Sequence, residues 1–298
     1  MSIFETIRHF VTDPPPEYVF ELSQEGFAWA RTADPSRVEW VQLPEGTIEV
    51  GPLTDNVKRP EELLRAVRAV APPLPNRRRR AALLLPDYSA RVAVLDFDTF
   101  PNDLNEQVQL AKFRIKRVVP FDIESAVVAC HPAPRPGEKK VDVTVAAVNL
   151  EIATHYEAPF RAAGYHCGFV SISALAALSL AGGTTASGAA IIAKRSGSVL
   201  AASLLKQNHL RMFRCVELPE MNGGSVIDFL APTFAFAEDE LGERPKSLLL
   251  SGFGHLDESI KTRWSEELGA PVETLKSRFG APGPANAGLL GYLEIVES

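Results

Sequence analysis

The sequence predicts an α/β protein of two halves that repeat one pattern, with an α+β insertion in the first half. The chain has 298 residues, more than one hydrophobic core usually serves. A meander of three short β-rich stretches stands near the start, and a similar meander follows about 170 residues later. Each meander precedes a helical pattern and a continuous apolar run of strand length. Such an internal duplication defines the architecture before any motif is considered.

The first meander contains three predicted strands, over residues 18–22, 27–31 and 38–43. The stretches between them, Gln24-Glu25-Gly26 and Asp34-Pro35-Ser36, have turn-forming composition at hairpin spacing. We therefore expect an antiparallel three-stranded unit.

A helix and a buried strand continue the first half. Pro60 suits a first helical position, and apolar residues then recur at helical spacing up to Val70. The apolar run 81–85 ends at Pro86-Asp87 and predicts a strand that is buried on both faces.

The insertion is predicted over about residues 91–163. Its helix, over 103–118, places Leu104, Val108, Ala111 and Ile115 on one face and stops before Pro120. The other predicted elements are strands over 92–95, 126–130 and 141–148 and a helix over 152–163 that ends at Gly164.

The second half repeats the order of the first. Its predicted elements are strands over 190–193, 199–205 and 210–216, a helix over 224–240, a strand over 247–250 and a helix over 257–268. A last helix after Pro284 is expected to pack back on the first half. The predicted domains are therefore residues 1–182, including the insertion, and residues 183–298.

The composition excludes several classes of protein. Hydrophobic residues at 46%, charged residues at 23% and a net charge of -6 are typical of a globular chain. Three distant cysteines without a C-x-x-C, and residues 1–11 without a secretory signal, predict a cytoplasmic protein. The uncharged run 167–193 is broken by glycines over 182–188, so we expect a short helix, a loop and a strand there rather than a membrane span. A pI of 5.6 without interleaved aromatics argues against nucleic acid as a partner.

Several short motifs resemble those of the PilM family of type IV pilus assembly proteins, in the actin-like ATPase superfamily. The cytoplasmic part of the type II secretion protein GspL is a relative of that family. The resemblance implies an actin-like (ribonuclease H-like) duplicated α/β fold with an inserted α+β subdomain. It also implies a protein that is peripheral to the cytoplasmic face of the inner membrane. The motifs are the segments 43–48, 83–87, 117–126, 165–178, 249–254 and 285–291.

The nucleotide motifs of the superfamily are degraded in this chain. The resemblance leads us to expect an Asp-x-Gly at each of two hairpins, because glycine lets backbone N–H groups approach phosphates and the carboxylate positions Mg²⁺. The chain has Glu-Leu-Ser-Gln-Glu-Gly over 21–26 and Ala-Lys-Arg-Ser-Gly over 193–197. In the third motif, Ser-Gly-Phe-Gly over 251–254, Phe253 replaces a family glycine. The candidate cleft residues are Ser23, Lys194, Ser196, Gly197, Ser251, Gly252 and Gly254.

Two interpretations of this cleft remain open. In the first, both hairpins are ordinary turns in a pseudo-ATPase that has lost ATP. In the second, a nucleotide still binds, with Lys194 and Arg195 contacting phosphates. An ATPase or sugar-kinase-like activity would need an acid near the phosphates, and the candidates are Glu21, Glu25 and Asp228.

No other motif predicts catalysis or a metal. The chain lacks G-x-S-x-G, G-x-x-x-x-G-K-[ST] and G-x-G-x-x-G, and its six histidines have no metal-ligand spacing. We therefore expect no enzyme and no metal site.

The resemblance implies a non-catalytic scaffold that binds the short N-terminal cytoplasmic segment of a PilN-type membrane protein. The groove is expected beside the insertion, with Val108, Ala111, Ile115, Pro120 and Phe121 as candidate contacts. A pilus assembly ATPase and a second copy of the chain are further candidate partners. Whether the system is a pilus or a secretion machine stays open, and an FtsA-like cell-division protein is an alternative.

Two surface features also have open interpretations. Basic residues cluster over 58–80 and 112–117. These clusters are either solvated surfaces or surfaces that face anionic lipid or an acidic partner segment. Residues 1–11 place apolar side chains on one helical face, which would anchor at a membrane or pack on the protein itself.

Overall fold

The computed structural model describes residues 15–135, 139–185 and 188–297, which form three β-sheets with helices packed on them. The strands in chain order are β1 (Tyr18–Leu22), β2 (Gly26–Arg31), β3 (Asp34–Gln42), β4 (Arg79–Leu85), β5 (Arg91–Phe97), β6 (Ala126–Pro134), β7 (Val141–Asn149), β8 (Tyr165–Ile172), β9 (Ala189–Ser196), β10 (Val199–Lys206), β11 (His209–Glu217), β12 (Leu248–Ser251) and β13 (Val272–Thr274).

Six helices longer than two turns accompany these strands in the described residues. They are α1 (Pro60–Val70), α2 (Leu104–Ile115), α3 (Leu150–Ala162), α4 (Gly223–Leu241), α5 (Glu258–Leu268) and α6 (Ala287–Glu297). Shorter helical turns span Asp87–Ser89, Ile123–Ser125, Ser173–Ala176, Ala177–Ala181 and Gly182–Thr185. Among the described residues, no helix has both the length and the apolar character that crossing a bilayer requires.

The two five-stranded sheets have the same order and the same strand directions. The first runs β3-β2-β1-β4-β8, and the second runs β11-β10-β9-β12-β13. In each sheet the central strand pairs antiparallel with its hairpin partner and parallel with the strand that follows the helix. The duplicated α/β architecture that the sequence predicts is therefore confirmed.

Local sequence signals explain the helix that joins each meander to its parallel strand. Pro60 begins α1, and Leu63 and Val67 bury its inner face. The longer α4 begins at a capping box formed by Asn222 and Ser225, and it ends at Gly242, whose φ of 65° suits glycine.

The inserted subdomain is smaller than the predicted 91–163. Its sheet, in the order β5-β7-β6, spans residues 91–149 and packs with α2 around its own core of Phe97, Val143 and Val145. Helix α3, which the prediction placed in the insertion, contributes Ile152 and Phe160 to the main core of the first half. It belongs there because its apolar face is covered by α1 and β8 rather than by the inserted sheet.

An ion pair network joins the inserted subdomain to the second half, where β5 lies against β11. Asp142 of β7 is buried, and its carboxylate accepts from Arg135 at 2.8 Å and contacts Arg211 of β11 at 2.9 Å. A buried carboxylate shared by two guanidinium groups fixes the relative position of the strands that carry them.

The two halves also share a continuous hydrophobic core. Phe20 and Leu83 of the first sheet belong to the same buried cluster as Ile192 and Leu249 of the second. Helix α6, although it follows the second half in the chain, packs Leu289, Leu290 and Leu293 against the first sheet. Its glycines permit this approach, because a Cβ at Gly291 would lie 2.2 Å from the carbonyl oxygen of Ala176.

Candidate functional site: a cleft above a buried ion cluster

A cleft of about 390 Å³ lies between the two halves. The carboxyl ends of the parallel pairs β1/β4 and β9/β12 face it, which is where open α/β sheets bind ligands. The walls are the β1–β2 turn, the β9–β10 turn, the loop after β12, the segment after β4 and the loop before α6. They contribute Ser23, Gln24, Glu25, Pro86, Asp87, Tyr88, Arg195, Ser196, Gly197, Gly252, Phe253, Gly254, Pro284 and Ala285.

Five of the seven predicted cleft residues line this cleft: Ser23, Ser196, Gly197, Gly252 and Gly254. The hydroxyl of Ser23 already has a hydrogen-bond partner within its own turn, because it donates to the carbonyl oxygen of Gly26 at 3.1 Å. Gly197, with φ 60°, completes the second hairpin and faces Gln24 of the first.

The other two predicted residues do not line the cleft. The hydroxyl of Ser251 is buried and donates to the carbonyl of Gly283 at 3.3 Å. In the nucleotide-binding interpretation Lys194 contacts phosphates, but its side chain is only 3% exposed. This part of the prediction is therefore corrected, and the reason is a cluster of charges beneath the cleft.

The cluster consists of Lys194 from the second half and two carboxylates from the first half. Nζ of Lys194 donates to Oδ2 of Asp87 at 2.8 Å and lies 4.0 Å from Oε1 of Glu21. Asp87 and Glu21 are 2% and 1% exposed, so all three charged groups are removed from water. A lysine at the end of β9 pairs here with groups at the ends of β1 and β4, and the cluster joins the two halves directly.

The remaining oxygens of both carboxylates also have partners. Oδ1 of Asp87 accepts from the backbone N–H of Ala174 at 2.6 Å. Glu21 accepts from the hydroxyl of Ser173 at 2.5 Å and from the backbone N–H of Leu289 at 2.7 Å. Leu289 lies in the first turn of α6, where unpaired N–H groups attract negative charge.

Burial and the neighbouring charges shift the pKa values of Glu21 and Lys194 in defined directions. Burial raises the pKa of Glu21 above its usual 4.5, and the lowering effects of Lys194, Ser173 and Leu289 do not cancel that rise. For Lys194, burial by itself lowers the pKa, but the charges of Asp87 and Glu21 outweigh it, and the net shift is upward. One ammonium between two carboxylates leaves an excess negative charge, which a proton on Glu21 would neutralise.

The cluster does not suit Mg²⁺. Mg²⁺ needs octahedral oxygen ligands at about 2.0–2.1 Å, several of which are usually waters in an open site. Here the ammonium of Lys194 occupies the space between Glu21 and Asp87, and the other carboxylate oxygens already accept hydrogen bonds. Within the described part of the chain, no group of three or more His, Cys, Asp or Glu side chains could hold a metal ion.

The loop after β12 forms one wall of the cleft. Gly252 has φ 80°, and a Cβ there would lie 2.0 Å from the carbonyl oxygen of Arg195. Phe253 lines the cleft, and its ring packs edge-to-face on Trp264 with centroids 5.8 Å apart. The loop thus rests directly on the second hairpin.

Of the three acids proposed for an ATPase, Glu25 lines the cleft. Glu21 lies beneath it in the ion cluster, and Asp228 is exposed on α4 away from the cleft lining. Arg195 lines the cleft, and its Nε donates to the carbonyl of Gly197 at 3.2 Å.

The predicted partner contacts on α2 need correction. Ala111 and Ile115 are 0% and 2% exposed, because they pack against the inserted sheet and form its core. Phe121 packs against the same core, Val108 is half-buried and Pro120 is exposed. Ala111 and Ile115 are therefore internal and do not form a surface that a partner could contact.

Sequence reasoning did not assign three participants in the ion cluster: Asp87, Ser173 and the N-terminal turn of α6. Asp87 does carry a signal, because it follows a buried parallel strand at its carboxyl end. Ser173 and Leu289 carry none, since they are distant in the sequence and meet Glu21 only through packing. The apolar helix predicted over residues 1–11 lies outside the described residues.

Comparisons with solved structures show the actin-like fold. A chain of the PilM–PilN type IV pilus biogenesis complex is similar over 96% of this chain and 100% of its own, with 15% identity and a TM-score of 0.75. A Bacteroides thetaiotaomicron protein with an actin-like ATPase fold matches over 96% and 98%, with 12% identity and a TM-score of 0.59. The cytoplasmic domain of EpsL, an inner-membrane component of the Vibrio cholerae type II secretion system, matches over 94% of each chain, with 12% identity and a TM-score of 0.50. No family model matches the sequence, and no curated protein matches it.

Proposed function

We propose that this actin-like protein is a non-catalytic scaffold in the inner-membrane assembly platform of a type IV pilus or type II secretion system. It binds the N-terminal cytoplasmic segment of a PilN-type membrane protein from the cytoplasmic side. The observation that carries the proposal is the similarity to a chain of the PilM–PilN complex, which covers nearly all of both chains. The likeness to the EpsL cytoplasmic domain supports the same setting.

The buried ion cluster supports the absence of ATP hydrolysis. Hydrolysis in this fold needs carboxylates that hold Mg²⁺ and its waters at the phosphates. In this chain the ammonium of Lys194 neutralises the carboxylate of Asp87 and lies close to that of Glu21. Because Lys194 belongs to the second half and both acids belong to the first, these contacts join the two halves without a ligand. The cluster then holds the two halves together beneath the cleft.

Thermal unfolding tests this part of the proposal. A nucleotide that binds only the folded state at 100 times its Kd would stabilise it by about 2.7 kcal/mol. We expect the Tm to stay unchanged with millimolar ATP, whether Mg²⁺ is present or absent. A rise of several degrees would instead support the nucleotide-binding alternative, in which Arg195 is the cleft cation and Arg195→Ala should remove the rise.

The proposed site for the partner segment is the outer edge of strand β6 in the inserted sheet. This strand pairs with β7 along one edge and forms the outer strand of its sheet. Pro132 and Pro134 lack N–H donors, so an added strand could pair with residues 126–131. Val127 is 45% exposed there, and an added strand at this edge would cover its side chain.

A peptide titration tests the proposed partner. The probe is a fluorescently labelled N-terminal cytoplasmic segment of a PilN-type protein, measured by anisotropy with the full chain. We expect saturable binding that Val127→Asp weakens at least tenfold. Val170→Asp is the matched control, because Val170 is 37% exposed on the outer strand β8 of another sheet. Absence of binding at high micromolar protein would contradict the proposed partner, and equal loss in both variants would contradict the β6 site.

The remaining candidate partners stay predictions. Self-association of the chain can be measured by light scattering after gel filtration. Binding to a pilus assembly ATPase can be measured by co-purification of the two proteins.

A further inference from the structure

We infer that the C-terminal end of helix α2 is a surface that contacts an anionic lipid bilayer directly. The surface consists of Phe113, Lys116, Arg117 and Val118, and we refer to it as the α2 tip. The inference concerns lipid itself and does not require the proposed protein partner.

The α2 tip combines exposed apolar and exposed cationic side chains. Phe113 is 78% exposed and Val118 is 67% exposed, which are two of the three highest values among the large hydrophobic residues of the described chain. Lys116 and Arg117 are exposed and have no ion pair with any described residue. They follow Phe113 by three and four positions, in the turn that comes directly after Ile115, the last residue of α2.

The local charge contrasts with the charge of the whole protein. The chain carries a net charge of -6, yet no acidic residue occurs between Glu106 and Asp122, whereas four basic residues do. Two of these are partly paired, Lys112 with Glu124 at 3.5 Å and Arg114 with Asp96 at 3.9 Å. The free cations are those at the tip, beside the exposed phenylalanine.

Helix electrostatics explain only part of this pattern. Cations near a helix C-terminus are stabilised by the helix dipole, and this would account for Lys116 and Arg117. The helix dipole does not account for the solvent exposure of Phe113 and Val118 beside these cations. The inner face of α2 already packs through Ala111 and Ile115, so these apolar groups have no role in the subdomain core.

An anionic bilayer fits both features better than a protein does. The α2 tip lies outside the lining of the cleft, and a lipid surface needs no complementary shape. Basic side chains at such a surface attract anionic headgroups, while aromatic and aliphatic side chains enter the headgroup boundary. Contact at the tip would orient the inserted subdomain toward the membrane, although so few groups bind weakly without further attachments.

Vesicle flotation with the purified full chain tests the inference. The probes are vesicles of phosphatidylcholine alone and vesicles that also contain phosphatidylglycerol, at low and high salt. We expect binding to the anionic vesicles that high salt reverses, because surface charges are screened within a Debye length. Lys116→Glu/Arg117→Glu should lower the partition coefficient by about 25-fold or more, since each cation contributes about fivefold.

Matched variants separate the tip from general surface effects. Phe113→Ser should weaken vesicle binding several-fold, whereas Leu104→Ser should not, because Leu104 is 74% exposed at the opposite end of α2. Arg37→Glu/Lys276→Glu makes the same change in net charge with two exposed cations outside both basic clusters and should leave binding near that of the wild type. These side chains are exposed, so we expect unchanged Tm values for all four variants.

Several outcomes would overturn the inference. Failure of the wild type to bind anionic vesicles would do so, as would equal binding by the tip variants and the controls. If the wild type ignored vesicles but bound polyglutamate in a way that depended on Lys116 and Arg117, the tip would be a site for acidic protein segments. Loss of vesicle binding with intact peptide binding would leave the proposed function in place, so the two proposals fail independently.

Discussion

The two halves of the protein share one strand order but differ in the chemistry they bring to the cleft. At the end of β1 the first half supplies Glu21, and at the end of β4 it supplies Asp87. At the end of β9, the position equivalent to Glu21 in strand order, the second half supplies Lys194. The duplicated sheets are thus complementary in charge. The comparison teaches that two sheets of the same topology can carry opposite charges at equivalent strand ends and can pair through those charges.

The two halves also differ in the elements that pack against their sheets. The first half carries the inserted subdomain and receives α6 from the end of the chain, whereas α4 and α5 form a separate core with the second sheet. Glu21 contacts α6 through the N–H of Leu289, so the terminal helix is tied to the same cluster as Lys194. Cleft geometry and α6 docking should therefore respond together to substitutions in the cluster.

The largest effect should come from removing the charge that the second half contributes. Lys194→Met leaves Glu21 and Asp87 buried without their counter-charge, and we expect a loss of about 3–5 kcal/mol in the free energy of unfolding. Denaturant titration measures it. Lys261→Met is the control, because its partner Glu258 is 84% exposed and the change should stay within about 0.5 kcal/mol.

Neutralising the acids should restore part of that loss. The triple variant Glu21→Gln/Asp87→Asn/Lys194→Met has no buried charge in the cluster and should be more stable than Lys194→Met alone. If the single variant were as stable as the wild type, the cluster would not be what joins the halves.

An intermediate effect should come from the loop after β12, which forms one wall of the cleft. Gly252→Ala combines a positive φ with a contact of 2.0 Å to the carbonyl oxygen of Arg195, so the loop must move away from the second hairpin. We expect a loss of about 2–3 kcal/mol, from strain of about 1 kcal/mol plus the displaced contact.

Gly254→Ala separates the two causes of that loss. Gly254 also has a positive φ, of 65°, but a Cβ there would have no atom within 4 Å. Its loss should be limited to the strain of about 1 kcal/mol. Equal losses in the two variants would show that close packing of the loop contributes nothing.

The last effect is a pH dependence that belongs to Glu21. Its raised pKa means that the folded state holds the proton more tightly than the unfolded state. Its contribution to stability is fully present below pH about 4.5 and is lost as the pH rises through the folded-state pKa. Relative to Glu21→Gln, the wild type should therefore lose stability over this range, by at most about 1.4 kcal/mol per pH unit.

Denaturant titrations of both proteins at several pH values between 4 and neutrality measure this difference. Parallel curves would contradict the raised pKa. Lys194, whose pKa is raised above 10.5, contributes stability that persists below that pH and is lost at higher pH, so it does not alter the comparison.

Most of the fold was predictable from local patterns. Alternating and continuous apolar runs located the strands of both meanders, and Pro60 marked the start of α1. The predicted C-terminal boundary of the insertion lies beyond the observed one. The amphipathic pattern of α3 indicates that one of its faces is buried, but it does not indicate which sheet covers that face. The pattern of α2 is equally silent about which surface covers its apolar face. The prediction assigns Ala111 and Ile115 to a partner surface, whereas in the structure they fill the core of the inserted subdomain.

The candidate site was predictable in position but not in chemistry. Both hairpin turns and the loop after β12 line the cleft as expected from the motifs. The sequence placed a lysine and a glutamate at the two hairpins, but their pairing depended on Asp87, Ser173 and Leu289, which are far apart in the chain.

The sequence by itself determined the duplicated α/β architecture and which residues stand at the two hairpins, because hydrophobic periodicity and residue identity are local properties. Tertiary structure alone decided that Lys194 turns inward to Asp87 and that α2 buries one face and exposes Phe113. Those outcomes depend on which surfaces of distant segments meet, on the removal of water from charged groups and on the few partners then within hydrogen-bond distance.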